Sequence, residues 1–228
     1  MGYEKTKKGE YQHFEVERSN SFKSSKIILP MVLDLIKPKS MIDVGCAMGE
    51  WMITAKEWGV ENLMGIDGEY ARKGFRLSPE QFIQMDLNDP QPVGRRFDLA
   101  MSTEVAEHIR EENAVKLVKF LTSLSDNILF AAAVPGQDGD GHINEQWNSW
   151  WAKIFESEGY YPHDVVRPKV WNNKDVGVWF VQNTLLYTKE KSDLTMIDVI
   201  HPELYTRKMN SRVVKLVRRL KGKEEITW

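Results

Sequence analysis

The sequence predicts an α/β fold built on a mostly parallel, doubly wound sheet. Two observations support this prediction. Short apolar segments alternate along the chain with longer segments whose apolar residues recur at helical spacing, and this alternation is typical of parallel sheets with helices on both faces. The chain also has 228 residues, of which 42% are hydrophobic, and this suffices for one domain with a sizeable core.

The individual elements follow from the apolar pattern in chain order. The first helix covers residues 26–36, with Pro30 tolerated in an early turn. Short apolar runs predict strands at 40–45, 62–67, 81–86, 96–102 and 127–134. Helical spacing predicts further helices at 50–59, 113–124 and 144–159. Two segments rich in aromatic and β-branched residues predict closing strands that bring the sheet to seven, at 160–167 and 176–189.

The two ends of the chain differ in composition from its middle. Residues 1–26 are polar and rich in lysine, which predicts a flexible arm or lid before a main domain at 27–190. Residues 191–228 form a C-terminal extension, in which 207–223 carries eight basic residues and no acid. The apolar residues of that stretch share one helical stripe, so we predict a basic amphipathic helix. We interpret it as a docked helix with a solvated basic face, and contact with an anionic partner or surface is the alternative.

Composition narrows the class of protein. The net charge is −2, which does not favour a nucleic-acid-binding protein. The single cysteine, Cys46, excludes a disulfide framework and is typical of a reducing compartment. The polar N-terminus lacks the apolar core of a signal peptide, and no apolar run is long enough to span a membrane. We therefore expect a cytoplasmic protein.

A glycine turn joins the first strand to the second predicted helix. It spans Gly45 to Gly49, and Ala47 stands where the dinucleotide-binding fingerprint has its middle glycine. That glycine normally allows the backbone to approach a pyrophosphate closely. Glu50 also places a carboxylate at the start of the helix, where it repels phosphate. The turn therefore favours a cationic ligand without phosphate over NAD.

Acidic residues end three successive strands of the predicted sheet. Asp43 precedes the glycine turn, Asp67 ends the second strand, and Asp86 ends the third. Ligands of such sheets bind at the carboxyl ends of the strands. There Asp67 suits two ribose hydroxyls, while Asp86 and the N–H of Leu87 suit an adenine. An amine, a ribose and an adenine in that order describe S-adenosylmethionine.

Four segments of the chain resemble the motifs of a known family, in the same order and at similar spacings. The chain resembles the class I, Rossmann-like S-adenosylmethionine-dependent methyltransferases over roughly residues 25–190, through "IDVGCAMGEW", "MGIDGEY", "FIQMDLND" and "FDLAMSTEVAEHI". Residues 131–160 and 167–187 are similar to a bacterial subgroup often associated with glycan or natural-product biosynthesis. The resemblance implies a seven-stranded sheet whose last strand is antiparallel. The predicted cofactor contacts are Asp43, Gly45, Cys46, Gly49, Trp51, Asp67, Gly68, Met85, Asp86, Leu87 and Thr103.

Two histidines are candidates for activating a methyl acceptor. His108 follows the fourth strand and His142 follows the fifth, so both belong to the ligand edge of the sheet. A hydroxyl acceptor must lose a proton, and histidine is the usual base. The structural alternatives are a helix-capping role for His108 and a backbone-bonded loop role for His142. Among the tryptophans, Trp147 lies beside the same loop and suits a substrate contact, whereas Trp151 and Trp179 suit the core.

The same region offers ligands for a divalent cation. Glu104, Glu107 and His108 share one face if the segment is helical, and His142 completes a set of oxygen and imidazole donors. This pattern is similar to that of ubiquinone-pathway O-methyltransferases and small-RNA 2′-O-methyltransferases. We favour the interpretation without a metal, in which Glu104 and Glu107 orient the ligand and the helix.

Together these features predict an S-adenosylmethionine-dependent methyltransferase. We expect an O-methyl transfer to a small polar acceptor, such as a sugar, a sugar nucleotide, a related metabolite or an anionic metabolite. Three alternatives remain at this stage: an RNA 2′-O-methyltransferase, an enzyme of this fold that uses S-adenosylmethionine without methyl transfer, and an inactive binding module. An NAD-dependent oxidoreductase is disfavoured by Ala47.

Overall fold

A single mixed sheet organises the computed structural model, which describes residues 14–195 and 197–210. Its seven strands have the order β3-β2-β1-β4-β5-β7-β6. The five strands from β3 to β5 are parallel, whereas β7 runs antiparallel to both β5 and β6. The predicted architecture is therefore confirmed. The strands are β1 (Ser40–Val44), β2 (Asn62–Asp67), β3 (Phe82–Gln84), β4 (Leu99–Thr103), β5 (Asn127–Ala131), β6 (Tyr161–His163) and β7 (Leu185–Thr188).

Helices cover both faces of this sheet because neighbouring strand residues point to opposite sides. Ile128 packs in the core with α4 and α5, and Leu129 packs in the core with α1, α2 and α7. The helices are α1 (Phe14–Ile36), α2 (Glu50–Glu57), α3 (Glu69–Arg72), α4 (Ala114–Leu124), α5 (Asn148–Ser157), α6 (Arg167–Val170) and α7 (Val178–Asn183), and residues 202–210 are also helical. Among the described residues, every helix is too short or too polar to cross a lipid bilayer.

The first helix begins earlier than the sequence predicts. Residues 14–26, which the sequence places in a flexible arm, belong to α1, and Pro30 consequently lies inside the helix rather than in an early turn. Small hydroxyl side chains explain how this polar segment packs. The buried Ser25 Oγ lies 2.7 Å from Thr54 Oγ1, and Ser24 Oγ accepts the Gly177 N–H at 2.9 Å. The rest of the predicted arm, residues 1–13, lies outside the described residues.

The predicted strand at 176–189 is wrong in its first half. Residues 178–183 form α7, and β7 begins at Leu185. Phe180 and Val181 are buried in the core beside α1 and α2, so tertiary packing overrides the strand preference of aromatic and β-branched residues. The other closing strand is shorter than predicted, since α6 begins at Arg167.

The described part of the C-terminal extension is docked against the domain. The buried Gln182 side chain accepts the His201 N–H and donates to the Val199 carbonyl. Leu204 packs against Val134 and Val178, which belong to the loop after β5 and to α7. Of the predicted basic helix at 207–223, residues 211–223 lie outside the described residues.

Candidate active site

A cavity of about 540 Å³ opens at the carboxyl ends of the parallel strands. Six of the predicted cofactor contacts line it: Gly45, Asp67, Gly68, Met85, Asp86 and Leu87. Glu104 and His108 also line it, so the predicted acceptor region borders the predicted cofactor region. The sequence did not indicate Ala47, Glu69, Tyr70, Gln84, Asn88, Val105 and Ile109, which complete the wall. Their only signal in the sequence is that they flank predicted contacts along the chain.

The glycine turn has a conformation that demands glycine. Gly45 has φ +86°, and a Cβ added there would lie 2.2 Å from Val105 Cγ2. Gly49 has φ +84° and begins α2. Both backbone conformations are rarely adopted by residues with a side chain. The turn therefore brings bare backbone against Val105, one of the side chains that form the cavity wall.

Asp67 is held rigidly at the end of β2. Its Oδ2 accepts the Ala47 N–H at 2.7 Å, and its Oδ1 accepts the Gly68 N–H at 2.7 Å. Burial raises the pKa of this carboxyl, against the opposing effect of hydrogen bonds from Tyr70, Ala47 and Gly68. The carboxylate thus links the glycine turn to the start of α3 and presents its oxygens to the cavity.

Asp43 lies behind the cavity wall and adds to its negative charge. It is 2% exposed, and burial raises its pKa well above the usual range. The charges of Asp67 and Glu50 raise that pKa further. Three carboxyl groups thus surround one glycine turn. Such a concentration of negative charge favours a cationic ligand.

The remaining predicted cofactor contacts do not line the cavity. Trp51 donates from Nε1 to Ser21 Oγ at 3.2 Å and packs edge-on against Phe180, so it belongs to the core beneath α1. Cys46 is buried, and burial raises the pKa of its thiol, as expected of a packing residue. Asp43, Gly49 and Thr103 are likewise buried and do not line the cavity.

The two candidate histidines lie side by side. Their ring centroids are 5.0 Å apart, in an edge-to-face arrangement. His108 Nδ1 lies 3.1 Å from the Gly141 carbonyl oxygen, and His142 Nδ1 lies 2.9 Å from Glu145 Oε1. In each ring one nitrogen is therefore anchored. The second nitrogen, Nε2, is buried in both rings and makes no hydrogen bond to the described residues.

Glu107 faces this pair from the same turn as His108. It is fully buried, and its Oε1 lies 3.9 Å from His142 Nε2. Neither carboxylate oxygen makes a well-formed hydrogen bond to the described residues. Burial and the charge of Glu104 raise its pKa well above the usual range, although the backbone N–H groups of Glu107 and Ala133 act in the opposite direction. One donor atom from each of Glu107, His108 and His142 lies within 4.8 Å of the others.

His108 is poised to remain neutral at physiological pH. Burial lowers its pKa to about 4, and the nearby His142 contributes in the same direction. The hydrogen bond to the Gly141 carbonyl oxygen raises the pKa, but its effect is smaller than that of burial. A neutral imidazole has one nitrogen lone pair available for a proton or a cation.

The predicted fourth donor, Glu104, is separated from this cluster. The segment forms a 3₁₀ turn over Ala106–His108 rather than an α-helix, and Glu104 has φ +56°, so the predicted shared helical face does not form. Glu104 instead accepts hydrogen bonds from Asn183 Nδ2 at 3.1 Å and Gln137 Nε2 at 2.9 Å. Its carboxylate joins α7 to the loop after β5.

The tryptophans divide largely as the sequence predicts. Trp151 is fully buried in the core with α4 and α5, and Trp179 packs beside the core on the other face. Trp147 is 39% exposed at the start of α5, a few residues beyond His142. Its contact with a substrate stays a prediction.

Comparison with known proteins places the chain among methyltransferases. A family model described as a methyltransferase domain matches residues 16–168, well over half of the chain. Among the solved structures that match, a sugar N-methyltransferase from a Streptoalloteichus species has a TM-score of 0.56 at 14% identity, covering 74% of this chain and 87% of that chain. Magnesium protoporphyrin IX methyltransferase from Synechocystis, with bound S-adenosylmethionine, has a TM-score of 0.55 at 17% identity, covering 80% and 87%.

Other matches have lower TM-scores. The plantazolicin methyltransferase BpumL, in complex with a pentazolic desmethylPZN analogue and S-adenosylhomocysteine, has a TM-score of 0.51 at 16% identity, covering 76% of this chain and 84% of that chain. The chain spans 43% of the length of two further matches, which are titled as a pericyclic reaction enzyme and as LepI with S-adenosylmethionine and have TM-scores of 0.46. No curated protein sequence matches the chain.

Proposed function

Because the chain belongs to the class I S-adenosylmethionine-dependent methyltransferases, we propose that it transfers the methyl group to a hydroxyl of a small polar acceptor. The acceptor class that we favour is a sugar, a sugar nucleotide or a related metabolite. The observation that carries the proposal is the half-buried histidine pair, in which His108 lines the cavity and His142 lies beside it, with both Nε2 atoms free of hydrogen bonds to the described residues. A hydroxyl acceptor needs such a proton acceptor, because an alcohol is a weak nucleophile until it loses its proton.

The cofactor has a consistent orientation in this proposal. Asp67 binds the ribose hydroxyls, while Asp86 and the Leu87 N–H bind the adenine. The methionine end of the cofactor, which is cationic, then lies against the glycine turn, where the negative charge of Asp43 favours its binding. This order directs the sulfonium methyl toward Glu104 and His108, which line the same cavity.

The transfer itself is an in-line displacement. The acceptor oxygen forms a bond to the methyl carbon while the bond from that carbon to sulfur breaks, and S-adenosylhomocysteine leaves. The hydroxyl proton passes to Nε2 of a neutral histidine, and the low pKa of His108 keeps this ring neutral. Most of the rate enhancement then comes from holding the two reactants in line.

A specific observation also favours a metal-assisted form of this reaction. The donor atoms of Glu107, His108 and His142 lie within 4.8 Å of one another, and each histidine is anchored through its other nitrogen, as metal-binding histidines usually are. These three side chains fit a divalent cation such as Mg²⁺, Mn²⁺ or Zn²⁺. A bound cation would lower the pKa of a coordinated hydroxyl. Glu104 stands outside this set because Gln137 and Asn183 hold it.

Two measurements test the proposal in sequence. The first is calorimetric titration of the wild type and Asp67→Ala with S-adenosylhomocysteine and, separately, with NAD. Tight binding of S-adenosylhomocysteine that collapses in Asp67→Ala supports the cofactor assignment, whereas binding of NAD alone contradicts it. The second is a methyl-transfer assay with labelled S-adenosylmethionine on sugars, sugar nucleotides and RNA.

The assay also separates the competing forms of the function. Methylated sugars or sugar nucleotides support the favoured acceptor class, and methylated RNA with strong salt dependence supports an RNA methyltransferase instead. Consumption of S-adenosylmethionine without a methylated product would indicate a non-methylating enzyme. Repeating the assay after chelator treatment and metal restoration distinguishes the metal-assisted form from proton transfer to histidine alone.

A further inference from the structure

Tyr70 lines the cavity three residues after Asp67, the aspartate assigned to the ribose. It is the second residue of α3, and its side chain is 56% exposed while also lining the cavity. The ring folds back over Gly68. A Cβ built on Gly68 would lie 2.5 Å from Tyr70 Cε1 and 2.8 Å from Cδ1, so the ring depends on glycine at this position.

The hydroxyl of Tyr70 is engaged by the same carboxylate that is assigned to the cofactor. It donates a hydrogen bond to Asp67. Asp67 also accepts the backbone N–H groups of Ala47 and Gly68. A carboxylate offers about four lone-pair positions. Three donors of the protein therefore leave too few positions for both hydroxyls of a ribose.

The two backbone donors are fixed by the fold, whereas Tyr70 donates from a side chain. The Ala47 and Gly68 N–H groups belong to the glycine turn and to the start of α3, and they hold Asp67 in place. The tyrosine side chain is more than half exposed, and α3 is a single turn of helix. An exposed side chain changes rotamer within nanoseconds at small cost, whereas displacing the glycine turn would disrupt the cavity.

We propose that Tyr70 competes with the cofactor ribose for Asp67 and must release this carboxylate before a nucleoside with a 2′,3′-diol binds fully. The inference rests on the assignment of Asp67 to the ribose in the proposed function. In this proposal, the Tyr70 hydroxyl lowers the affinity for the cofactor. Only the Tyr70 hydroxyl competes with the ribose, because the aromatic ring donates no hydrogen bond to the carboxylate.

The matched variant for this competition is Tyr70→Phe, which removes the hydroxyl and retains the ring. We expect it to bind S-adenosylhomocysteine about threefold to tenfold more tightly than the wild type, because a single competing hydrogen bond is lost. Tyr205→Phe is the control, since Tyr205 is similarly exposed, at 60%, but lies in the helical segment 202–210. It should leave the affinity unchanged.

A pair of nucleosides shows whether the gain comes from the ribose. Adenosine carries the diol, and 2′,3′-dideoxyadenosine lacks it. In competition against S-adenosylhomocysteine, Tyr70→Phe should improve the affinity for adenosine and leave that for dideoxyadenosine unchanged. An equal gain for both nucleosides would overturn the proposal, because it would reflect a loosened α3 rather than competition for Asp67.

The remaining outcomes are also decisive. Weaker binding of S-adenosylhomocysteine by Tyr70→Phe would mean that the hydroxyl contacts the cofactor directly, and unchanged binding would mean that it does not compete; either overturns the inference while leaving the methyltransferase assignment intact. Failure of the wild type to bind S-adenosylhomocysteine at all would overturn both. The thermal midpoint of ligand-free Tyr70→Phe should fall slightly, because the variant loses the same single hydrogen bond to Asp67.

Discussion

His142 Nδ1 lies 2.9 Å from Glu145 Oε1, and the other oxygen of Glu145 accepts the Gly136 N–H at 2.6 Å. Glu145 therefore ties the histidine to the loop that follows β5. A carboxylate accepts hydrogen bonds, so it selects the tautomer in which Nδ1 carries the proton and Nε2 carries the lone pair. The lone pair then lies on the side of Glu107, where the proposed chemistry requires it.

The first prediction concerns this orienting contact. Glu145→Ala should lower methyl transfer about tenfold to hundredfold, because His142 loses its fixed tautomer and orientation. Nitrogen-15 NMR of the labelled histidines should show His142 changing from one tautomer to a mixture. Glu145→Gln should be milder, since an amide oxygen still accepts the Nδ1–H. The control is Glu112→Gln, an exposed carboxylate outside the cluster. Binding of S-adenosylhomocysteine should not change, and an unaltered His142 tautomer in Glu145→Ala would contradict the assignment.

A second prediction follows from the buried carboxyl of Asp43. Its raised pKa means that the folded protein binds this proton more tightly than the unfolded chain. The resulting stabilisation is present below the unfolded pKa and is lost as the pH rises through the folded pKa. Asp43→Asn mimics the neutral acid, so it should be more stable than the wild type at about pH 8, by roughly 2–4 °C in thermal midpoint for a modest gain.

The pH dependence of this difference is the decisive readout. The advantage of Asp43→Asn should shrink toward about pH 5, because wild-type Asp43 is then increasingly protonated. Asp98→Asn provides a control of opposite sign. Burial is the largest single effect at Asp98 and raises its pKa, but hydrogen bonds from the Lys39 N–H and from Ser40 together outweigh it and lower the pKa of this exposed carboxyl. Calorimetric thermal midpoints of both variants and the wild type, measured between about pH 5 and pH 8, test the direction of each effect. A difference in midpoint between Asp43→Asn and the wild type that does not change with pH would refute the linkage.

Much of the fold can be predicted from the sequence, because buried parallel strands are continuous apolar runs. The strands β1, β2, β4 and β5 coincide with such runs. The same rule fails at residues 178–183, where Trp179, Phe180 and Val181 favour a strand by composition and yet form a helix. What decides this segment is its packing against α1 and α2, which lie far away in the chain. Local propensity carries no information about such a partner.

Some residues of the candidate site could likewise be predicted from the sequence, whereas others depend on tertiary contacts. Asp67 and Asp86 were predictable because their positions at strand ends determine their location at the edge of the sheet. Glu104 was misplaced because its φ of +56° and its partners Gln137 and Asn183 depend on contacts across the sheet edge. Tyr70 was missed for another reason. The fold of its ring over Gly68 is a matter of rotamer, which a sequence pattern does not specify.

A third prediction separates steric from backbone effects in the glycine turn. Gly45 and Gly59 both have φ +86°, but a Cβ at Gly45 meets Val105 at 2.2 Å whereas a Cβ at Gly59 meets nothing within 4 Å. Each substitution by alanine pays the same backbone strain of about 1 kcal/mol. Gly45→Ala should therefore lose more stability than Gly59→Ala and should also weaken S-adenosylhomocysteine binding, because Val105 lines the cavity. Denaturant unfolding and calorimetric titration measure the two effects, and equal losses in both variants would show that Val105 yields without cost.

The last prediction concerns the attachment of the C-terminal extension. Gln182 is fully buried and bonds through both ends of its amide to the backbone of Val199 and His201. Gln182→Met preserves volume but removes the partners of the half-buried Val199 carbonyl and His201 N–H, which should cost about 1–3 kcal/mol of unfolding free energy. Gln91→Met is the matched control, because Gln91 is exposed and its amide donates to the nearby Asp89 carbonyl.

Activity should fall as well, since Gln182 precedes Asn183, which holds Glu104 at the cavity. Chemical denaturation and methyl-transfer rates measured on the same variants connect the two effects. A destabilised Gln182→Met that retains the wild-type methyl-transfer rate would show that residues 197–210 stabilise the domain without positioning Glu104. A variant indistinguishable from Gln91→Met in both measurements would show instead that water replaces the lost hydrogen bonds, so that the extension is held mainly by the packing of Leu204 against Val134 and Val178.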